Sequence, residues 1–160
     1  MCNQAENHLN FMREAIRLSV ENVKNGGGPF GAVIVKEGRV ISTGVNQVTK
    51  INDPTAHAEV NAIRAASKAL SDFDLKGCTI YTSCEPCPMC LAAIYWARID
   101  TIYFANTKAD AKAILFDDSF IYDEIALPIS KRKIPTIPLL RDEALKAFDD
   151  WKIKPDKIEY

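Results

Sequence analysis

The segment Thr82-Ser83-Cys84-Glu85-Pro86-Cys87-Pro88-Met89-Cys90 crowds three of the chain's five cysteines into seven positions and runs straight into an apolar helical stretch. Whatever those sulfurs hold dictates how the neighbouring elements meet. The first residues lack a basic segment followed by an apolar run, and no later stretch approaches the length of a bilayer span, so a cytoplasmic, reducing location is expected. In that compartment clustered cysteines serve more often as metal ligands or catalytic groups than as disulfides, and an odd number leaves a paired framework incomplete.

The rest of the pattern predicts what surrounds the cluster. Residues 7–25 place Leu9, Met12, Ile16, Val20 and Val23 at helical spacing and stop at Gly26, an amphipathic first helix. Segments 32–36 and 39–45 are rich in β-branched residues and joined by Glu37-Gly38, which reads as a hairpin. Asp53-Pro54 offers a cap and a first-turn proline for a helix through Leu70, with His57 and Glu59 in its opening turn. Residues 78–82 read as a strand. Residues 87–98 read as a helix apolar almost all round, which predicts burial on every side. A strand at 101–105 and a helix at 107–115 follow, then an irregular stretch over 116–133, a last strand at 134–140 and an amphipathic helix at 141–151 using Leu145, Phe148 and Trp151. Strands separated by helices, opened by a hairpin, predict an α/β domain with a mixed sheet covered on both faces. At 160 residues, with no internal repeat or linker, a single domain over 1–160 is expected. The net charge of −1 provides no positive field to gather a polyanion, so nucleic acid is not the expected partner.

A catalytic zinc takes three protein ligands and keeps a fourth position for water, whereas a structural zinc closes all four. Cys87 and Cys90 lie three apart at a helix start, where both thiolates reach one metal and the helix N-terminus favours their charge. Of the two histidines, His8 sits in the first helix without ligand neighbours, while His57 opens a helix two residues before Glu59. Positions two apart do not share a helix face, but side chains of a first turn converge beyond the helix end. With His57 on the metal, Glu59 reaches the metal's water and serves as its proton carrier. The alternative is a closed structural site, with Cys84 as the fourth ligand. His57-Ala58-Glu59 followed by Pro86-Cys87-Pro88-Met89-Cys90 is the H-x-E…P-C-x-x-C pattern of zinc nucleobase deaminases, an identification by motif.

Beyond that pattern, "GGPFGAVIVK", "NDPTAHAEV", "TSCEPCPMCLAAIYWAR", "FDDSFIY" and the terminal "EY" resemble the small bacterial guanine deaminases of the cytidine deaminase-like superfamily. The resemblance runs from about residue 27 to the end of the chain. It implies a three-layer α/β/α fold with a mixed five-stranded sheet, and a homodimer in which the tail, residues 152–160, swaps onto the partner's active site. It implies one Zn²⁺ per chain on His57, Cys87 and Cys90, with Glu59 as proton shuttle. It implies substrate contacts at Phe30, Asn46, Ala58, Trp96, Asp118 and Tyr160. On the residues alone, Asp117-Asp118 reads as a solvated acidic pair or a turn, Asn46 as a turn former, and Phe30 and Trp96 as core; only the resemblance turns them into substrate contacts. "GGGPFG" lacks the ending of a phosphate loop and reads as a mobile turn beside the pocket.

The expected reaction is hydrolytic deamination of guanine to xanthine and ammonia. Guanine's N–H donors suit the Asp118 carboxylate and its carbonyl suits the Asn46 amide. The competing readings are a deaminase of adenosine in transfer RNA, one acting on guanosine or another nucleobase, and a zinc-stabilised scaffold without catalysis.

Overall fold

The structure, a computed structural model of the chain, describes residues 2–160, with the first three of these as backbone only. Helix α1 (Cys2–Lys24) ends in a glycine turn and feeds strand β1 (Gly31–Lys36), which folds back into β2 (Arg39–Val45). The hairpin turns on Glu37 and Gly38 at φ 51° and 74°, the left-handed pair whose twist matches the flanking strands. A short α2 (Val48–Ile51) and a loop lead to α3 (Ala58–Leu70), followed by β3 (Cys78–Cys84), α4 (Pro88–Trp96), β4 (Thr101–Asn106) and α5 (Lys108–Ala113). Beyond these come α6 (Ser119–Ala126), a 3₁₀ turn (Ile129–Lys131) and α7 (Arg141–Ile153). The chain divides into two compact units, Met1–Asp118 and Ser119–Tyr160. Among the described residues no helix is long and apolar enough to cross a membrane.

In the first unit the sheet order is β2-β1-β3-β4, with β1 antiparallel to both neighbours and β3 parallel to β4 across the α4 connection. Strand alternation sorts the two faces. Ala32, Ile34, Cys78 and Ile80 pack with Ala58, Ala62 and Ala66 of α3 and Ile94 of α4. Val33, Val35 and Tyr81 point the other way, against Phe11, Met12, Ala15 and Leu18 of α1. The expected three layers, α/β/α about a mixed sheet, are present.

The strand count is not as expected. The sheet has four strands rather than five, and residues 134–140 form no strand. Pro135 and Pro138 interrupt that alternating segment and cannot donate to a ladder, and Ile134, Ile137 and Leu139 are exposed. Within 116–133, read from sequence as irregular, the structure forms α6. Helix α4 is not buried on every side either: Pro88, Cys90 and Ile94 are buried, while Tyr95 and Trp96 are 76% and 67% exposed. An all-apolar helix has no polar face, so its pattern does not say which side is covered. In α7, Leu145 is half-buried, but Phe148 stays exposed.

Candidate active site

Two helix N-termini converge on the α3 side of the sheet. His57 is the N-cap of α3 in extended geometry, with no capping bond from its side chain, so the imidazole is free to turn outward from the helix end. Asp53, expected as the cap, instead accepts from the Thr55 amide (2.8 Å) and hydroxyl (2.7 Å), closing a turn that delivers the chain to His57. Cys87 is the N-cap of α4, where Pro88 pre-sets the first turn and the Cys90 amide points at the Cys87 sulfur at 3.5 Å. Cys90 lies one turn inside the helix and is fully buried.

These elements bring His57, Cys87 and Cys90 together, each offering one donor atom within 4.8 Å of the others. His57 Nδ1 lies 3.5 Å from both Cys87 Sγ and Cys90 Sγ. A tetrahedral zinc with Zn–S of about 2.3 Å and Zn–N of about 2.0–2.1 Å has N···S edges of about 3.5 Å, so the donor set fits that ion. The electrostatics agree. The hydrogen bond from the Cys90 thiol, followed by that from His57, pulls the Cys87 thiol down to about 4, and the same Cys87–Cys90 bond and burial push Cys90 up. The hydrogen bond to Cys87 raises His57. Three basic atoms competing for shared protons are the arrangement a cation relieves.

Glu59 stands beside this group rather than in it. It is 5% exposed, and its Oε2 lies 3.3 Å from Cys90 Sγ while its Oε1 accepts a 2.8 Å bond from the Thr82 hydroxyl. Burial raises its pKa, partly offset by its hydrogen bonds. A buried carboxyl next to a three-ligand metal group, with an affinity for protons higher than usual, is suited to carry a proton.

A family model for the cytidine and deoxycytidylate deaminase zinc-binding region matches residues 5–106. The chain belongs to that family. Within this zinc-binding deaminase family, the chain is 52% identical to the guanine deaminase of Bacillus subtilis over 155 residues, covering 96% of this chain and 99% of the relative. The crystal structure of guanine deaminase from Bacillus subtilis superposes with a TM-score of 0.93 over 96% of this chain and 98% of that one. A tRNA-specific adenosine deaminase from Aquifex aeolicus is 42% identical, but over 95 residues that make up 59% of this chain and 63% of the relative.

The remaining expected site residues fall into two groups. Phe30, Asn46, Ala58 and Asp118 belong to the first unit, and Phe30 packs against the core cluster that includes Ala58. Ala58 is the buried first residue of α3. Asn46 is buried, its Oδ1 accepts from the Val48 amide at 3.3 Å, and its own amide N–H bonds Phe30 O at 3.1 Å. The Phe30 ring meets Phe116 edge-on at 5.0 Å. Burial raises the Asp118 carboxyl, and the negative charge at Cys87 adds to the shift, which places Asp118 within electrostatic reach of the metal group. Trp96 is different: it ends α4, whose first turn carries Cys90 and Cys87, so about 9 to 14 Å of helix separates it from their positions. Tyr160 is the exposed last residue of the second unit.

His8 is no ligand. Its Nδ1 meets the Tyr81 hydroxyl at 2.5 Å on the α1 side of the sheet. Cys84 does not close the metal group. Its thiol donates to Thr107 O at 3.6 Å, and burial pushes its pKa up to about 11, which leaves it protonated and inert. The glycine turn is tied down rather than loose: Gly27 N–H bonds Asn22 O, and Asn22 Nδ2 donates to Gly28 O and to Asn46 O, each at 2.8 Å. Asn22 and Thr82 were missed in the sequence. Reading the β3 alternation on from Ile80 puts Thr82 on the α3 face, and that was the available signal. A helical asparagine carries no comparable mark.

Proposed function

We infer that the protein hydrolyses guanine to xanthine and ammonia in the cytoplasm, using zinc held by His57, Cys87 and Cys90. The observation that carries the chemistry is Glu59, buried beside the three donors of His57, Cys87 and Cys90, the number of protein ligands that a catalytic zinc would take while keeping a position for water. The choice of guanine rests on the near full-length similarity to a guanine deaminase, against partial coverage for the transfer-RNA enzyme.

When bound, zinc supplies Lewis acidity that makes a water acidic near neutral pH. The chain's own groups do the rest. Glu59 Oε2 accepts one proton of the water and hands it to the ring nitrogen next to the carbon bearing the amino group; it then takes the proton of the hydroxyl now on that carbon and passes it to the amino group, which leaves as ammonia while the carbonyl forms. Asn46 Oδ1 is occupied by Val48, which turns its Nδ2 into the free donor for the substrate carbonyl. Asp118 accepts from the ring and exocyclic N–H groups, and a base lacking that pattern leaves these groups unpaired in a closed pocket. Gly28 permits this placement: a Cβ there would lie 3.1 Å from Asn46 Cγ and Oδ1. Phe30 walls the ring.

Trp96 and Tyr160 enter the reading through a homodimer in which residues 152–160 of one chain cover the site of its partner. This part rests on the resemblance to guanine deaminases and on the exposure of both side chains.

The test is ammonia release by zinc-loaded protein from guanine, guanosine, adenine, cytosine and an RNA anticodon stem-loop. Turnover of guanine above the others is expected. Activity on the RNA alone would replace the reading with transfer-RNA deamination, and no activity with any of them would leave a zinc-stabilised scaffold. Fractionation of the source cells checks the location.

A further inference from the structure

The geometry points to Thr82 as the residue that orients Glu59 for proton transfer, a positioning role that builds on the reaction proposed above. Thr82 is fully buried in β3 and pairs with Ala32 in the ladder to β1. Its row on the sheet, Cys78, Ile80 and Thr82, faces α3, and Cys78 and Ile80 pack there in the apolar core. A hydroxyl in that row is costly to bury without a partner. Its partner is Glu59, 23 residues away in sequence, with Oγ1 at 2.8 Å from Oε1.

A glutamate carboxyl turns about its last torsion in a broad, two-fold well, so packing alone does not fix which oxygen faces which way. The hydroxyl of Thr82 does. It holds Oε1 against the sheet and thereby aims Oε2 at Cys90, the ligand-side edge of the metal group, where the attacking water must lose its proton. Because β3 also continues into the Cys84–Cys87 turn, one strand sets both the ligand loop and the direction of the acid. Proton transfer by a positioned carboxyl depends on hydrogen-bond reach of about 2.6–3.2 Å, so a rotated Glu59 loses rate rather than substrate affinity.

The test compares T82V, which keeps the shape and removes the hydroxyl, with T82S, which keeps the hydroxyl. In zinc-loaded T82V, kcat for guanine should fall about 10–100-fold while KM stays within about twofold, the loss typical of a misplaced catalytic group. T82S should stay within about threefold of the parent, whose own zinc content and melting temperature it should share. Isotope-edited infrared spectra of substrate-free protein should show the Glu59 carboxyl band displaced in T82V and unmoved in T82S. A T82V with parental kcat and an unmoved band overturns the role, as does a T82S as slow as T82V. If T82V fails to fold, the T82S result and its Glu59 band decide alone: a displaced band or a slow enzyme with the hydroxyl retained refutes it. Should the parent itself release no ammonia from guanine, the substrate reading fails, while the infrared comparison still judges Thr82.

Discussion

Gly44→Ala is the smallest change that should damage both the fold and the site. Gly44 lies in β2 opposite Ala32, under the first turns of α3. A Cβ at Gly44 would sit 2.1 Å from Ala58 O and 2.5 Å from Ala62 N. Both are backbone atoms, so no rotamer change relieves the clash. Ordinary contact begins near 3.4 Å, so strand and helix must part by about 1.3 Å. Overpacking of this kind costs about 1–3 kcal/mol, and a backbone-on-backbone clash belongs at the upper end. Ala58 lies between His57 and Glu59, so the displacement reaches the proposed metal ligand and the proposed proton carrier together. A shift of about 1 Å at such a site lowers turnover on the order of 100-fold. Urea unfolding should show the midpoint falling by about 1–1.5 M at unchanged slope. Zinc content should drop below that of the parent, and kcat/KM for guanine should fall in step. An alanine variant within about 0.5 kcal/mol of the parent, with full zinc and full activity, refutes the close-approach reasoning.

Glu59→Gln keeps the volume and the acceptor for Thr82 but cannot carry the proton; turnover should fall by at least about 10³-fold with zinc retained, and an active variant would remove Glu59 from the mechanism. The Thr107 hydroxyl and then its amide hold the Asp110 carboxyl below its ordinary value in a capping box at α5. A depressed folded pKa stabilises above the unfolded value of about 3.9 and loses that contribution as pH falls through the folded one, so first-turn amides of α5 should lose exchange protection in acid. Carbon-detected titration of Asp110 should show the low value, and Thr107→Val should raise it; a titration that Thr107→Val leaves unmoved contradicts the box. Deleting residues 152–160 should lower activity, and mixing that variant with Glu59→Gln chains should restore some by exchange of intact tails; failure of complementation argues against a tail that crosses to the partner.

The hairpin, the helix after His57 and the metal group were legible because each is written in local chemistry. A left-handed turn needs residues such as Glu37-Gly38, and a zinc set needs sulfurs three apart at a helix start. Segment 134–140 misled because an alternating apolar pattern states what a strand would bury, while its two prolines decide whether a ladder forms. Helix α6 was hidden by Phe120, Ile121, Tyr122 and Ile125, residues with modest helical preference, so local propensity gave little warning of it. Thr82 was overlooked for another reason. A hydroxyl in a strand is ordinary, and its meaning depends on a glutamate brought to it by packing of α3 on the sheet.

The same dependence on packing explains where the polar groups of the interior lie. Among the described residues the buried polar side chains are Ser19, Asn22, Asn46, Glu59, Thr82 and Ser83. Ser19 bonds within its own helix, to Ile16 O. The other five connect pieces of the site to the scaffold. Ser83 Oγ accepts from Gly31 N–H at 3.0 Å, fixing the start of β1 just after Phe30. Asn22 reaches from α1 to the carbonyls of Gly28 and Asn46, and Thr82 reaches from β3 to Glu59. A buried polar group is tolerated only when paired, so each of these residues ties its stability contribution to the position of a neighbour in the candidate site. The core of the first unit therefore holds the site in place by hydrogen bonds whose partners are the site itself, and a substitution that loosens one should be felt in turnover before it is felt in the fold.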